Sequence, residues 1–182
     1  MRIRHSAAAA FGVVLMSASL GHAATPKPAT IDGVKVKSIT WETPVAAQQH
    51  LTWTVDGVDT KSCTAECDVK PFVYKPAASA KGTLSVLIKW ASDTTTDIDL
   101  YVIDADGKDI AHCGGGHGTG EIVSIPMEKL VSGQTYRVVS AYYNVTTAET
   151  LKGKIDFPST YTPTSPVIDD PNFGCSQDGS SA

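Results

Sequence analysis

Short runs of alternating polarity, each broken by glycine, aspartate or proline, recur along most of this chain and allow few folds. The clearest run begins at Thr83. Leu84, Val86, Ile88 and Trp90 share one face of it, while Ser85 and Lys89 share the other. Side chains alternate across a strand with a period of two, so the pattern specifies a strand with one wet and one buried face. Ile98, Leu100 and Val102 repeat it after the loop Ser92 to Thr96, and Asp104-Ala105-Asp106-Gly107 then reads as a hairpin turn. A further strand is expected at Glu121 to Ile125. Tyr136, Val138 and Ser140 alternate with Thr135, Arg137 and Val139, as Leu151, Ile155 and Phe157 do with Lys152 and Lys154.

Before Thr83 the pattern is rougher. Val34, Val36, Ile39 and Trp41 predict a strand whose phase slips at Ser38, as a bulge would make it. Leu51, Trp53 and Val55 alternate up to the turn signal Asp56-Gly57. Cys63 to Pro76 reads as irregular, with Phe72 to Tyr74 as a short edge strand limited by Pro71 and Pro76. The helical signal is confined to a single turn near Met127 to Val131. One-sided strands of this kind predict an all-β fold, an antiparallel, jelly-roll-like β-sandwich whose two sheets bury their apolar faces together.

Residues 1–23 carry the pattern of a signal peptide. Arg2 and Arg4 form a basic start, Ala7 to Leu20 an apolar stretch, and Gly21-His22-Ala23 a small-residue cleavage site. The stretch is too short to read as a membrane span, so the expectation is a secreted or periplasmic protein. Residues 24–30, with Pro26 and Pro28, read as a linker, 31–157 as the sandwich domain, and 158–182 as an extended tail. Loss of Arg2 and Arg4 takes Lys plus Arg from 15 to 13 against 19 acidic residues, so the net charge moves from −4 to −6. No basic patch suits a phosphate backbone, which argues against a nucleic-acid partner.

Cys63, Cys67, Cys113 and Cys175 are an even number in an exported chain, which points to disulfides. The favoured connectivity is Cys63–Cys67 closing a small loop with Cys113–Cys175 pinning the tail; the other two pairings stay open. Asp93, Asp97 and Asp99 are candidate ligands for Ca²⁺, a cation that takes six to eight oxygens on a flexible scaffold. Asp97 and Asp99 fall two apart and so share a strand face, where two like charges repel unless a cation relieves them. The plainer reading is a solvated face at the start of a strand. An EF-hand beginning at Val102 is excluded, because Val102 and Cys113 would occupy its carboxylate positions.

His112-Cys113-Gly114-Gly115-Gly116-His117 offers imidazoles and a thiol, yet its glycines suit a turn better than a rigid zinc frame. No Gly-x-Ser-x-Gly elbow occurs, and outside the signal peptide the histidines are His50, His112 and His117. Catalysis is not expected. Trp41, Trp53 and Trp90 invite a sugar-stacking reading, although Trp90 shares the apolar face of Ile88 and Val86. Asn144-Val145-Thr146 matches the glycosylation pattern, which chance produces often.

From Leu84 to Tyr143 the chain resembles the bacterial pre-peptidase C-terminal domain. The residues carrying the likeness are Leu84-Ser85-Val86-Leu87-Ile88-Lys89-Trp90, then Asp97-Ile98-Asp99-Leu100-Tyr101-Val102-Ile103-Asp104, the turn Asp106-Gly107, and Leu130-Val131-Ser132-Gly133-Gln134-Thr135-Tyr136-Arg137-Val138. The resemblance implies a β-sandwich module, with a core at about 83–143, that binds or assists secretion. The paired cysteines depart from the family's general pattern. The expected function is a secreted, non-catalytic module recognising a protein or polysaccharide surface, with Ca²⁺ as a stabiliser. A structural component of the cell envelope, or a small hydrolase or metalloenzyme built on the His112–His117 loop, are the alternatives.

Overall fold

Ile98, Leu100 and Val102 have no solvent exposure, while Asp97 and Asp99 on the opposite face stay half-buried, so the period-two pattern becomes a strand directly. The computed structural model describes residues 27–49, 66–91, 96–114 and 118–159. The expected signal peptide, the run Leu51 to Val55, and His50, Trp53, Cys63, Asp93, His117 and Cys175 lie outside these residues. The described strands are β1 (Ala29–Ile31), β2 (Ser38–Val45), β3 (Gln48–Gln49), β4 (Cys67–Tyr74), β5 (Thr83–Lys89), β6 (Asp97–Ile103), β7 (Asp109–Cys113), β8 (Gly120–Pro126), β9 (Thr135–Val145) and β10 (Glu149–Asp156).

Two sheets result. One runs β1-β4-β9-β6-β7 with β3 also on β9, and the other runs β2-β10-β5-β8. Every pairing is antiparallel except β1 with β4. With the short β1 and β3 set aside, the remaining strands counted in chain order pack as 1-8-3-6 facing 2-7-4-5. That is the order of a jelly roll, so the expected all-β sandwich is the fold of the chain.

The interior is apolar. Phe72, Leu84, Val86, Ile88, Leu151, Ile155 and Phe157 are fully buried between the sheets. Aromatic contacts fill its middle, Phe72 stacking on Tyr136 at 5.8 Å and Tyr74 meeting Phe157 edge-on at 5.3 Å. A smaller cluster of Cys67, Tyr101, Ile103, Val139 and Ala141 lies on the outer face of the six-stranded sheet.

Several expectations need correction. Val34 and Val36 are exposed and precede β2, which begins only at Ser38. The reason is Asp32, whose Oδ1 accepts the N–H groups of Val34, Lys35 and Val36 at 2.8, 2.7 and 2.9 Å and folds them into a turn. The presumed linker already contributes Ala29 and Thr30 to β1. Residues 67–74 form a full strand between β1 and β9, where an irregular stretch with a short edge strand was expected. Pro71 is tolerated because β1 pairs only from Phe72 onward, leaving β4 an edge at the proline. The expected single helical turn is present as a 3-10 turn at Met127–Lys129.

Candidate functional site

The strand directions divide the molecule into two unlike ends. At one end lie tight turns held by their own backbone. Asp32 caps the turn before β2, Asp104 Oδ1 accepts from Asp106 and Lys108 at 2.9 Å each, and Arg137 Nη2 donates to the carbonyl of Asp104 at 3.0 Å. The backbone N–H groups of Val34 and Val36, with that of Lys35, hold the Asp32 carboxyl below its usual range. The opposite end gathers the starts of β4, β6, β8 and β10 with the ends of β5, β7 and β9. It collects the chemistry-bearing side chains.

Asp97 and Asp99 stand there on one outward face of β6. Asp99 accepts a hydrogen bond from the Tyr101 hydroxyl at 3.2 Å and lies against Gly114, where a Cβ would come 3.2 Å from Oδ1. Burial first, and then the Asp97 charge, push the Asp99 carboxyl up to about 6 from 3.8. Burial and the Asp99 charge likewise raise the Tyr101 hydroxyl far above 10, so it stays a donor. His112 sits opposite Tyr101 with ring centroids 5.9 Å apart, and its Nδ1 is 2.6 Å from Asp109 Oδ2.

Behind this face Glu121 projects inward from β8. It is 2% exposed, and its Oε2 accepts the Leu100 N–H at 2.6 Å, where the pairing of β6 with β7 stops at Cys113. Two further polar atoms are buried at this end without a hydrogen-bond partner, Trp90 Nε1 and Thr96 Oγ1. On the outer face of the four-stranded sheet, an open cleft of about 830 Å³ adjoins the same end, lined by Glu42, Lys89, Trp90, Glu149, Thr150 and Lys152 among others. Lys152 faces Glu42 across it at 3.9 Å, and Glu149 Oε2 accepts the Ala91 N–H at 3.2 Å.

Of the residues singled out from sequence, the fold brings Asp97, Asp99, His112 and Cys113 to one end; Asp93 and His117 lie outside the described residues. His112 and Cys113 belong to β7 rather than to a glycine loop, which corrects that expectation. Trp90 is a core residue at 7% exposure. Trp41 is half-buried, packs on the core and donates its Nε1–H to Asp68 at 3.0 Å, so its ring is committed to the fold. Asn144 pairs within the sheet opposite Asp97.

Sequence reasoning missed Glu121, Tyr101 and the cleft. Glu121 did carry a signal, because it shares the phase of the core residues Val123 and Ile125. The cleft carried none, since its residues come from three separated strands. Among the described residues no three His, Cys, Asp or Glu side chains converge as metal ligands. None of those residues forms a helix long and apolar enough to cross a membrane. No disulfide joins two described cysteines; Cys67 and Cys113 are each disulfide-bonded to partners outside those residues. No protein-family model matches the chain, and no curated protein matches it either.

Proposed function

We propose that this chain is an exported, non-catalytic sandwich module that recognises a protein or polysaccharide surface through its loop-bearing end and the adjoining cleft. The observation that carries this reading is the segregation of the molecule into two ends. The turns at one end are closed by the hydrogen bonds of Asp32 and Asp104, while acidic, aromatic and basic side chains gather at the other. Binding residues concentrate on loops held by a rigid scaffold, and the jelly roll supplies one. The likeness of Leu84 to Tyr143 to the pre-peptidase C-terminal domain supports the same role. The paired charges of the cleft, Lys89 and Lys152 beside Glu42 and Glu149, suit a hydroxyl-rich or mixed-charge surface.

Ca²⁺ belongs to this proposal as a stabiliser. Asp97 and Asp99 fit it in charge and spacing; burial raises the Asp99 carboxyl most and the Asp97 charge adds to it, and a cation would offset both. Co-sedimentation with insoluble polysaccharides and capture on immobilised proteins test the reading. A ligand retained by wild type should be lost on Lys89→Ala combined with Lys152→Ala and kept by Asp106→Ala at the turn end. Equal retention by both variants would overturn the assignment of the surface.

A further inference from the structure

β8 turns Ile122 and Ser124 away from the core, because Val123 and Ile125 occupy its inner face. In a two-layer sandwich the outer face should be wet. Ile122 is nevertheless only 4% exposed, and so is Ser85, which faces the same way on neighbouring β5. The facing sheet packs on the inner side, so no described strand lies over this surface. The last described residues arrive at its foot. The Ser159 hydroxyl donates to Ser85 Oγ at 3.0 Å, and the Ser159 N–H donates to the Thr83 carbonyl at 2.6 Å.

The cysteines say where the following chain must go. Cys67 on β4 and Cys113 on β7 are separated by β9 and β6, and they point to opposite faces of the sheet. Three inter-strand steps amount to about 14 Å, whereas a disulfide needs its Cα atoms within about 7 Å. They are therefore not bonded to each other, yet both are disulfide-bonded. The chain holds two further cysteines, Cys63 and Cys175, so Cys175 is bonded to Cys67 or to Cys113. Cys113 ends the strand that leads directly into β8, and the surface bearing Ile122 lies between it and Ser159.

We propose that the C-terminal segment 160–174 runs over the outer face of β5 and β8, covers Ile122, and ends in a Cys113–Cys175 disulfide. Its composition suits that seat. Tyr161, Val167, Ile168 and Phe173 supply apolar side chains for Ile122 and the half-buried Leu87 beside it. Pro163, Pro166 and Pro171 prevent a continuous ladder, so the segment lies across the side chains of β8 instead of adding a strand to it. Its extended reach of about 50 Å comfortably exceeds the length of β8. Ser85, Leu87 and Ile122 beneath this path do not line the cleft, which meets β5 at Lys89, and the strap stands whether or not the binding role does.

Mass spectrometry of the unreduced, digested full chain tests the linkage, and should find the Cys113 peptide joined to the Cys175 peptide. A photoreactive benzoylphenylalanine in place of Ser124, half-exposed on the same face, should cross-link to residues 160–174. Hydroxyl-radical labelling of Ile122 should rise several-fold in a chain ending at Ser159. A Cys67–Cys175 peptide, cross-links to any other segment, or Ile122 labelling unchanged in a folded truncated chain would each overturn the proposal. The first two measurements use the full chain, so a truncated chain that fails to fold does not shield it.

Discussion

A Cβ at Gly153 would lie 2.0 Å from Cζ2 of Trp41, its partner across the strands, so the glycine exists to seat the indole. The ring cannot retreat, because it packs on the core and its Nε1–H is held by Asp68. Gly153→Ala should therefore cost about 2–3 kcal/mol in chemical denaturation, the range expected of overpacking in a fixed site. Asp99 offers a second test. Its carboxyl sits at about 6 in the fold against 3.8 otherwise, so the folded chain binds this proton more tightly than the unfolded chain does. Stability from this group is complete below pH 4 and disappears as pH rises through about 6. In EDTA, Asp99→Asn should thus stabilise the protein at pH 7.5 by about 1–2 kcal/mol, allowing for solvent screening, and the gap should close by pH 4. Millimolar Ca²⁺ should raise the melting temperature of wild type at pH 7.5 and leave the variant unmoved. A wild-type melt insensitive to both pH and Ca²⁺ would remove the carboxylate repulsion and the cation together. The shared face of Asp97 and Asp99 was legible from their spacing, but the burial of Asp99 was not, because Gly114, which lies against it just after β7, is distant in sequence.

At the scale of strands, two inward carboxylates close the two sides of the sandwich. Asp68 on β4 accepts from Trp41 Nε1 and Thr43 Oγ1 on β2, each at 3.0 Å, which ties the six-stranded sheet to the four-stranded one. Glu121 on β8 reaches the opposite way to the Leu100 N–H on β6. Glu121→Ala would leave that N–H buried without a partner, at a cost of about 1–3 kcal/mol. Glu121→Gln keeps an acceptor oxygen and should lose less. Hydrogen exchange at the Leu100 amide checks the cause, since it should quicken in the alanine variant far more than the amides of β4. Strands β5, β6, β8, β9 and β10 were legible because core residues recur at alternate positions along each of them. β7 was not, because Asp109 to Cys113 alternates poorly and a register shift between Val102 and Ile103 breaks its phase. The extended reading of Val34 and Val36 failed for a different reason. Asp32-Gly33 is itself a turn signal, with Gly33 at a φ of 74°, and the alternation of the two valines masked it.

For the whole molecule, the jelly roll was legible in outline but its sheet order was not, because alternation says which face is dry and nothing about neighbours. Covalent links then decide how firmly the order is held. A disulfide stabilises chiefly by restricting the unfolded chain, and more so as the loop it closes lengthens. With Cys63–Cys67 and Cys113–Cys175 paired, the first bond closes a loop of about 5 residues and the second one of about 60, worth about 2 and about 4 kcal/mol on that argument. Replacing Cys63 and Cys67 together by serine should then cost clearly less than replacing Cys113 and Cys175 together. Under the crossed pairing of Cys63 with Cys113 and Cys67 with Cys175, either double variant abolishes both bonds, and the two should be equally unstable. Urea denaturation of the four-cysteine chain and the two variants separates these outcomes. A reductant should remove the part of the difference that the links cause, leaving only the cost of serine at the buried positions 67 and 113. Equal loss in the two variants before reduction would transfer Cys175 to Cys67, and with it the path of the tail to the far side of the sandwich.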